Sequence, residues 1–134
     1  MKDVIIKEID KIKNKLFEIS DEIFDHPELC FEEHFASKVL EDYLEENGFK
    51  VERGLGSLDT AFRAKYSNGN AKHNIGLLCE YDALPMGHGC GHQMQGPSII
   101  GAAIAVKNAV KDLPFNLIVY GTPAEEGGGG KMIM

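Results

Sequence analysis

The 134-residue chain suits a single domain that buries roughly two-thirds of the surface its unfolded form exposes. Its formal net charge of -7 argues against nucleic acid or an anionic membrane as a partner, because both attract a basic surface. No apolar run approaches the roughly 20 residues that a membrane span needs. The three cysteines, Cys30, Cys79 and Cys90, are widely spaced and odd in number, so they predict a reduced, cytoplasmic protein rather than a disulfide framework.

The first third of the chain predicts two amphipathic helices. Across residues 3–25, isoleucine and leucine recur at spacings of three and four, and His26-Pro27 ends the helix because the residue before proline is pushed out of helical conformation. A second apolar face extends from Glu32 to Asn47, and Gly48 is typical of a helix end.

Three strands are predicted next, beginning with a short one near residues 49–52. Residues 61–66 and 74–81 read as strands around Ser67-Asn68-Gly69-Asn70, a sequence typical of a hairpin turn. The second of the two, NIGLLCEY, is nearly continuous in apolar residues, which predicts a central strand buried on both faces.

The rest of the chain predicts a strand–helix–strand unit. Residues 98–111 are apolar nearly all round, as in a largely buried helix, and residues 115–121 (FNLIVYG) form another apolar strand. The strands at 74–81 and 115–121 should therefore run parallel with a right-handed crossover. The predicted fold class is α/β, with helices flanking a mixed sheet that holds one antiparallel hairpin and one parallel crossover.

Chemically suggestive residues follow both parallel strands. Asp82, Cys90 and His92 come after the first, and Glu125 and Glu126 come after the second. In open α/β sheets ligands bind beyond the carboxyl ends of the strands. The sequence therefore predicts that these five side chains share one edge of the sheet.

Cys90 and His92 admit two interpretations when taken alone. They form either a packed cysteine with a helix-capping histidine or two ligands of a transition metal. The adjacent carboxylates favour the metal, because Glu125 and Glu126 can divide the work of general base and ligand. A cysteine hydrolase that uses Cys90 as its nucleophile stays open as an alternative.

Two motifs, EYDALPMGHGCGH and GTPAEEGGGGK, resemble those of the metal-dependent amidohydrolases grouped with aminoacylase and carboxypeptidase G. Within that family they are most similar to the branch of p-aminobenzoyl-glutamate hydrolase and β-alanyl-lysine dipeptidase-like proteins. The resemblance implies a zinc-peptidase-like catalytic domain with two divalent ions, zinc or manganese. It implies that Cys90, His92 and Glu126 bind metal. It also implies that Glu125 is the general base and that Asp82 orients a ligand histidine.

The resemblance further implies hydrolysis of the amide bond of an N-acyl amino acid or a small dipeptide, by a protein that forms a homodimer when complete. Residues 1–134 would be the N-terminal part of its catalytic domain, without the dimerisation domain and the C-terminal part. Glu80 departs from the pattern, since many relatives carry a metal-binding histidine there. The alternative is a truncated, non-catalytic remnant that binds metal weakly or binds a partner subunit.

Overall fold

The computed structural model describes every residue from Met1 to Met134. Its helices and strands, in chain order, are α1 Lys2–Asp25, α2 His34–Glu46, β1 Lys50–Leu55, β2 Leu58–Asn68, β3 Asn74–Cys79, α3 His92–Ala109, β4 Phe115–Gly121 and α4 Gly130–Ile133. The predicted α/β class is confirmed. None of the four helices is both long and apolar enough to cross a membrane.

The four strands form one mixed sheet in the order β1-β2-β4-β3. β2 pairs antiparallel with β1 on one side and with β4 on the other, whereas β3 and β4 run parallel. The predicted parallel pair joined through a helix is therefore confirmed. It brings the ends of β3 and β4 to the same edge, where Cys79 pairs with Gly121.

The predicted hairpin between residues 61–66 and 74–81 is wrong. The hairpin lies instead between β1 and β2, where Gly56 and Ser57 turn the chain with φ values of +59° and +67°. β4 inserts between β2 and β3, so the turn-forming residues at 67–70 connect two strands that are not neighbours. Local turn chemistry marks a change of direction but does not say which strand comes alongside.

β3 is an edge strand, not the predicted central strand buried on both faces. Leu77 and Cys79 pack on the core, but Leu78 between them is 49% exposed. Alternate side chains of a strand point to opposite faces, and only one face of β3 lies against the core. A run of apolar residues therefore did not distinguish a half-covered edge strand from a buried central one.

The core lies between the sheet and the helices α1, α2 and α3. Its cluster of 17 buried residues includes the second half of the predicted apolar stripe of α1, namely Leu16, Ile19 and Ile23. α3 approaches α1 closely at Gly101, where a Cβ atom would overlap the side chain of Leu16. This packing fixes the position of α3 relative to α1.

α3 begins at His92, six residues before the predicted start at Ser98. Gly96 and Pro97 suggested a loop, yet both are buried inside the helix. A Cβ atom at Gly96 would lie 3.2 Å from the main-chain oxygen of Glu80, so glycine allows the helix to lie close to the end of β3. The earlier start places His92 in the first turn of a helix rather than in a flexible loop.

Candidate metal centre

The five predicted site residues lie at the carboxyl edge of the parallel strands. Asp82, Cys90 and His92 follow β3, and Glu125 and Glu126 follow β4, whose end is tied to β3 by the bond from Thr122 N–H to Cys79 O. Each of Cys90, His92 and Glu126 offers one ligand atom, and the three atoms lie within 4.8 Å of one another. The structure thus brings together the three residues expected to bind metal.

The imidazole of His92 is held so that one nitrogen is engaged and the other is available. Its Nδ1 hydrogen-bonds the main-chain oxygen of Asp82 at 3.1 Å and lies 3.0 Å from Asp82 Oδ1. Nε2 is left facing three carboxylates, 3.4 Å from Glu80 Oε2, 3.7 Å from Glu125 Oε2 and 3.9 Å from Glu126 Oε1. Contacts to the far nitrogen in this way orient metal-binding histidines and fix their tautomer.

Asp82 is a buried residue that contacts both the segment after β3 and the loop after β4. Its side chain is fully buried, and Oδ2 accepts a hydrogen bond from the main-chain N–H of Glu126 at 2.9 Å. The same oxygen accepts a longer bond, 3.7 Å, from the thiol of Cys30. Asp82 therefore holds His92 through its main-chain oxygen, with Oδ1 lying near the same nitrogen, and holds the loop after β4 through Oδ2.

Cys30 lies in the turn before α2, where its thiol contacts the site from the side of the core. It is half-buried beneath the site, and burial, followed by the charge of Asp82, raises the pKa of its thiol. Cys30 and Asp82 are 52 positions apart, so no local pattern could reveal their contact.

The environment of Cys90 favours a ligand over a nucleophile. Its Sγ lies 3.6 Å from the main-chain oxygen of Asp82, and burial, with a contribution from Glu126, raises the pKa of the thiol. A cysteine nucleophile needs a lowered pKa, whereas here burial outweighs the opposite effect of the main-chain amides at the start of α3. A metal ion, by contrast, deprotonates a thiol that coordinates it.

Glu80 was noted in the sequence only as a departure from the family pattern, yet the structure places it in the site. Its Oε2 lies 3.4 Å from His92 Nε2, and Glu80, His92 and Glu125 form a second group with metal-binding geometry. Its other oxygen pairs with the ammonium group of Lys131. The available signal was its place directly after β3, in the same loop as Asp82.

The two groups cannot each hold an ion at the same time through these residues. Both require the same atom, Nε2 of His92, since Nδ1 is engaged by Asp82. The residues of this chain therefore supply a ligand set for one ion. His88 belongs to neither group; it is buried beside Phe24, with ring centroids 6.4 Å apart.

The geometry fits a divalent ion bound by Cys90, His92 and Glu126. Two ligands that bind an ion tetrahedrally at about 2.0–2.2 Å lie roughly 3.3–3.6 Å apart. The 3.9 Å between His92 Nε2 and Glu126 Oε1 is close to that separation, so a small side-chain movement would complete the geometry. Sulfur, imidazole nitrogen and carboxylate oxygen are also the donor types that zinc accepts. The available nitrogen points at the carboxylate, as binding requires.

No protein-family model matches the chain. The chain is 38% identical to a component of the p-aminobenzoyl-glutamate hydrolase of Escherichia coli (strain K12), over 94% of its own length and 30% of that protein. It is also 38% identical to the Xaa-Arg dipeptidase of Homo sapiens, over 92% of its length and 32% of the dipeptidase. It therefore spans about a third of the length of the curated relatives it matches.

A solved structure with the same fold is a dinuclear metal-binding peptidase of the M20 family from Bacillus subtilis. The two share 25% identity with a TM-score of 0.76, over 87% of this chain and 36% of the peptidase. Sequence and fold point to the same group of hydrolases. The chain therefore belongs to the M20 family of metal-dependent amidohydrolases and peptidases, the family that its two motifs resemble.

Proposed function

We propose that the complete protein is a metal-dependent amidohydrolase that cleaves the amide bond of an N-acyl amino acid or a small dipeptide. The observation that carries this proposal is the convergence of Cys90, His92 and Glu126, with Glu125 Oε2 only 3.7 Å from the same histidine nitrogen. The relatives named for hydrolysis of p-aminobenzoyl-glutamate and of Xaa-Arg dipeptides support the substrate class.

In this proposal Cys90, His92 and Glu126 hold one divalent ion, zinc or manganese, and Asp82 fixes the orientation of His92. A divalent ion bound there supplies Lewis-acid chemistry: it lowers the pKa of a bound water to near ~7 and polarises the scissile carbonyl. The second ion of the family takes further ligands from outside residues 1–134, because His92 has a single nitrogen available.

Glu125 is the general base. Its side chain is 39% exposed, compared with 26% for Glu126, so it is the glutamate more open to a substrate and a water molecule. Glu125 removes a proton from the attacking water and then gives it to the nitrogen of the leaving amine. Glu126, whose N–H is fixed by Asp82, stays in place as a ligand.

We further propose that residues 1–134 are the N-terminal part of the catalytic domain. The supporting observation is that they span about a third of the relatives, so the dimerisation domain and the C-terminal part belong to the rest of a homodimeric protein. A cytoplasmic location suits the three free cysteines, since thiols stay reduced there.

Metal removal tests this function. In the complete protein, a chelator should abolish hydrolysis of an N-acyl amino acid, and zinc or manganese should restore it. Cys90→Asp provides the control, because aspartate can bind metal but cannot act as a thiol nucleophile. A metal enzyme should keep measurable activity in Cys90→Asp when a divalent ion is supplied.

Two outcomes would favour the alternative functions, a cysteine hydrolase or a non-catalytic remnant. If activity survives the chelator but is lost on thiol alkylation and in Cys90→Asp, the protein is a cysteine hydrolase. If the complete protein binds metal but turns over neither N-acyl amino acids nor dipeptides, it is a non-catalytic remnant.

A further inference from the structure

Glu33 is a fully buried carboxylate that the proposed chemistry does not use. It lies just before α2, and its Oε1 accepts a hydrogen bond from the main-chain N–H of Ala124 at 2.8 Å. Its Oε2 accepts a bond from the hydroxyl of Thr60 at 3.0 Å. Thr60 is also buried, and its main-chain oxygen accepts a bond from the hydroxyl of Tyr81. The carboxylate is thus fixed at both oxygens.

The residue that Glu33 contacts comes directly before the proposed general base. Ala124 has a φ of +57°, in the left-handed region that residues other than glycine rarely adopt. Such a conformation persists only where the surroundings hold it in place. The hydrogen bond from Ala124 N–H to Glu33 is one such restraint, and it sets the direction in which the chain enters Glu125.

A second buried carboxylate restrains the other side of Glu125. Asp82 Oδ2 accepts the N–H of Glu126 at 2.9 Å, so the amides immediately before and after the base are both bound by buried carboxylates. With both neighbours fixed, the Cα–Cβ direction of Glu125 is fixed as well. The Glu125 carboxylate itself is left without a partner that would hold it away from the metal site.

The segment around Glu33 also supports the glycine-rich end of this loop. A Cβ atom at Gly128 would overlap the ring of Phe31, and one at Gly127 would lie 3.6 Å from Cys30 Sγ. Residues 30–33 therefore lie directly against residues 124–128. Burial raises the pKa of the Glu33 carboxyl, while hydrogen bonds from main-chain amides and from Thr60 favour its ionised form.

We propose that Glu33 is a positioning residue that holds Glu125 in the geometry needed for proton transfer, by fixing the main chain at Ala124. The proposal rests on the proposed function, because it takes Glu125 as the general base. Its effect should appear in kcat rather than in KM or metal content, since Glu33 touches neither the metal ligands' donor atoms nor the open site.

The test compares Glu33→Met with Glu33→Gln in the complete, metal-loaded protein. Methionine keeps the length of the side chain but removes the acceptor, whereas glutamine keeps an oxygen for Ala124 N–H and an amide for Thr60. Misplacing a catalytic group by about 1 Å can cost about 10²-fold. We expect kcat to fall by about that factor in Glu33→Met, with KM and metal per chain unchanged, and to recover largely in Glu33→Gln.

Combination with Glu125→Gln shows whether Glu33 acts through the base. If it does, adding Glu33→Met to Glu125→Gln should cause no further loss of kcat. Glu41→Met is the matched control, because Glu41 is a buried carboxylate on α2 that pairs with Arg53 instead of the loop. It should leave kcat unchanged.

An equal loss of kcat with and without Glu125, or loss of metal in Glu33→Met, would overturn the proposal. If Glu33→Met does not fold, Thr60→Val removes the donor to Oε2 and should still lower kcat only where Glu125 is present; an unchanged kcat would then overturn it. Failure of the proposed function looks different, because then either Glu125→Gln alone would keep full activity or the unmodified protein would show no turnover.

Discussion

The acidic residues at the site explain why its side chains need a cation. Four carboxylates and one thiol converge on a single imidazole, and only Lys131, paired with Glu80, brings a positive charge to them. Carboxylates that share a site repel one another unless they are protonated or bind a cation. A divalent ion between Cys90, His92 and Glu126 would relieve that repulsion. The charge balance therefore supports the same conclusion as the distances.

Glutamine substitutions test whether Glu125 is the general base and Glu126 is the metal ligand. Glu125→Gln keeps size and hydrogen bonding but cannot accept the proton, so kcat should fall by about 10²–10⁴-fold with metal content unchanged. Glu126→Gln replaces a charged ligand with a neutral one, so metal per chain should fall together with activity. Both variants are made in the complete protein, with metal per chain and kcat as the measurements.

The reverse pattern, with metal lost in Glu125→Gln and retained in Glu126→Gln, would exchange the two roles. Little change in either variant would reject the mechanism. Glu18→Gln, at an exposed glutamate on α1 outside the site, controls for the general effect of removing a carboxylate.

The predictable part of the site is the part that lies close to strand ends. The loops after the two parallel strands carry all five predicted residues: Asp82, Cys90, His92, Glu125 and Glu126. The strand–helix–strand topology therefore indicated from the sequence alone that they share one edge of the sheet. Cys30 and Glu33 were missed because their partners lie 52 and 91 positions away. Contacts over that distance depend on how α2 and its preceding loop pack against the sheet, which local patterns do not encode.

The distinction between local patterns and long-range contacts also holds for whole helices and strands. The predicted start of α1 differs from the observed start by one residue. The prediction succeeded because a stripe of apolar residues every three or four positions is a local property of the sequence. The pairing of β2 with β4 is not local, and the turn residues at 67–70 suggested the wrong neighbour. β3 and β4 were paired correctly because a strand–helix–strand unit restricts the topology.

The contact between α2 and β1 centres on an ion pair that should make stability depend on pH. Glu41 on α2 is buried and lies 2.9 Å from Arg53 on β1. Burial raises the pKa of Glu41 from 4.5 to about 7, although Arg53 opposes the shift. Between these two values the folded state binds more protons than the unfolded state, so stability should fall as pH rises.

Glu41→Gln should remove this contribution. From pH 4.5 to 7.5 the wild-type free energy of unfolding should fall by up to about 3 kcal/mol more than that of Glu41→Gln, measured by urea unfolding of the 134-residue chain. Glu45→Gln is the control, because Glu45 also pairs with Arg53 but is exposed, so its variant should keep the wild-type fall. A wild-type slope that persists unchanged in Glu41→Gln would contradict the assignment.

At the scale of the whole molecule, the sheet edge at β3 and the proposed ligand set both leave positions open in the same region. β3 is an open edge, with Ile75 and Leu78 about half exposed, and the adjacent site offers three ligands for one ion. The relatives are about three times as long as this chain. The proposed metal site therefore lies at a surface of the fold where additional protein could contribute ligands and exclude water.

The isolated 134 residues should consequently bind metal weakly and show no amidase activity. Three ligands leave coordination positions open, and even the loss of an outer-shell partner costs about 10–100-fold in metal affinity, so we expect binding weaker than that of the complete protein by more than about 10²-fold. Competition with a metal-binding dye measures the affinity. A His92→Ala variant of the same chain gives the background, because it loses the nitrogen shared by both ligand groups. Turnover of an N-acyl amino acid by the purified 134-residue chain, absent in its His92→Ala variant, would show that these residues complete an active site by themselves and would reject the proposal that the rest of the catalytic domain is required.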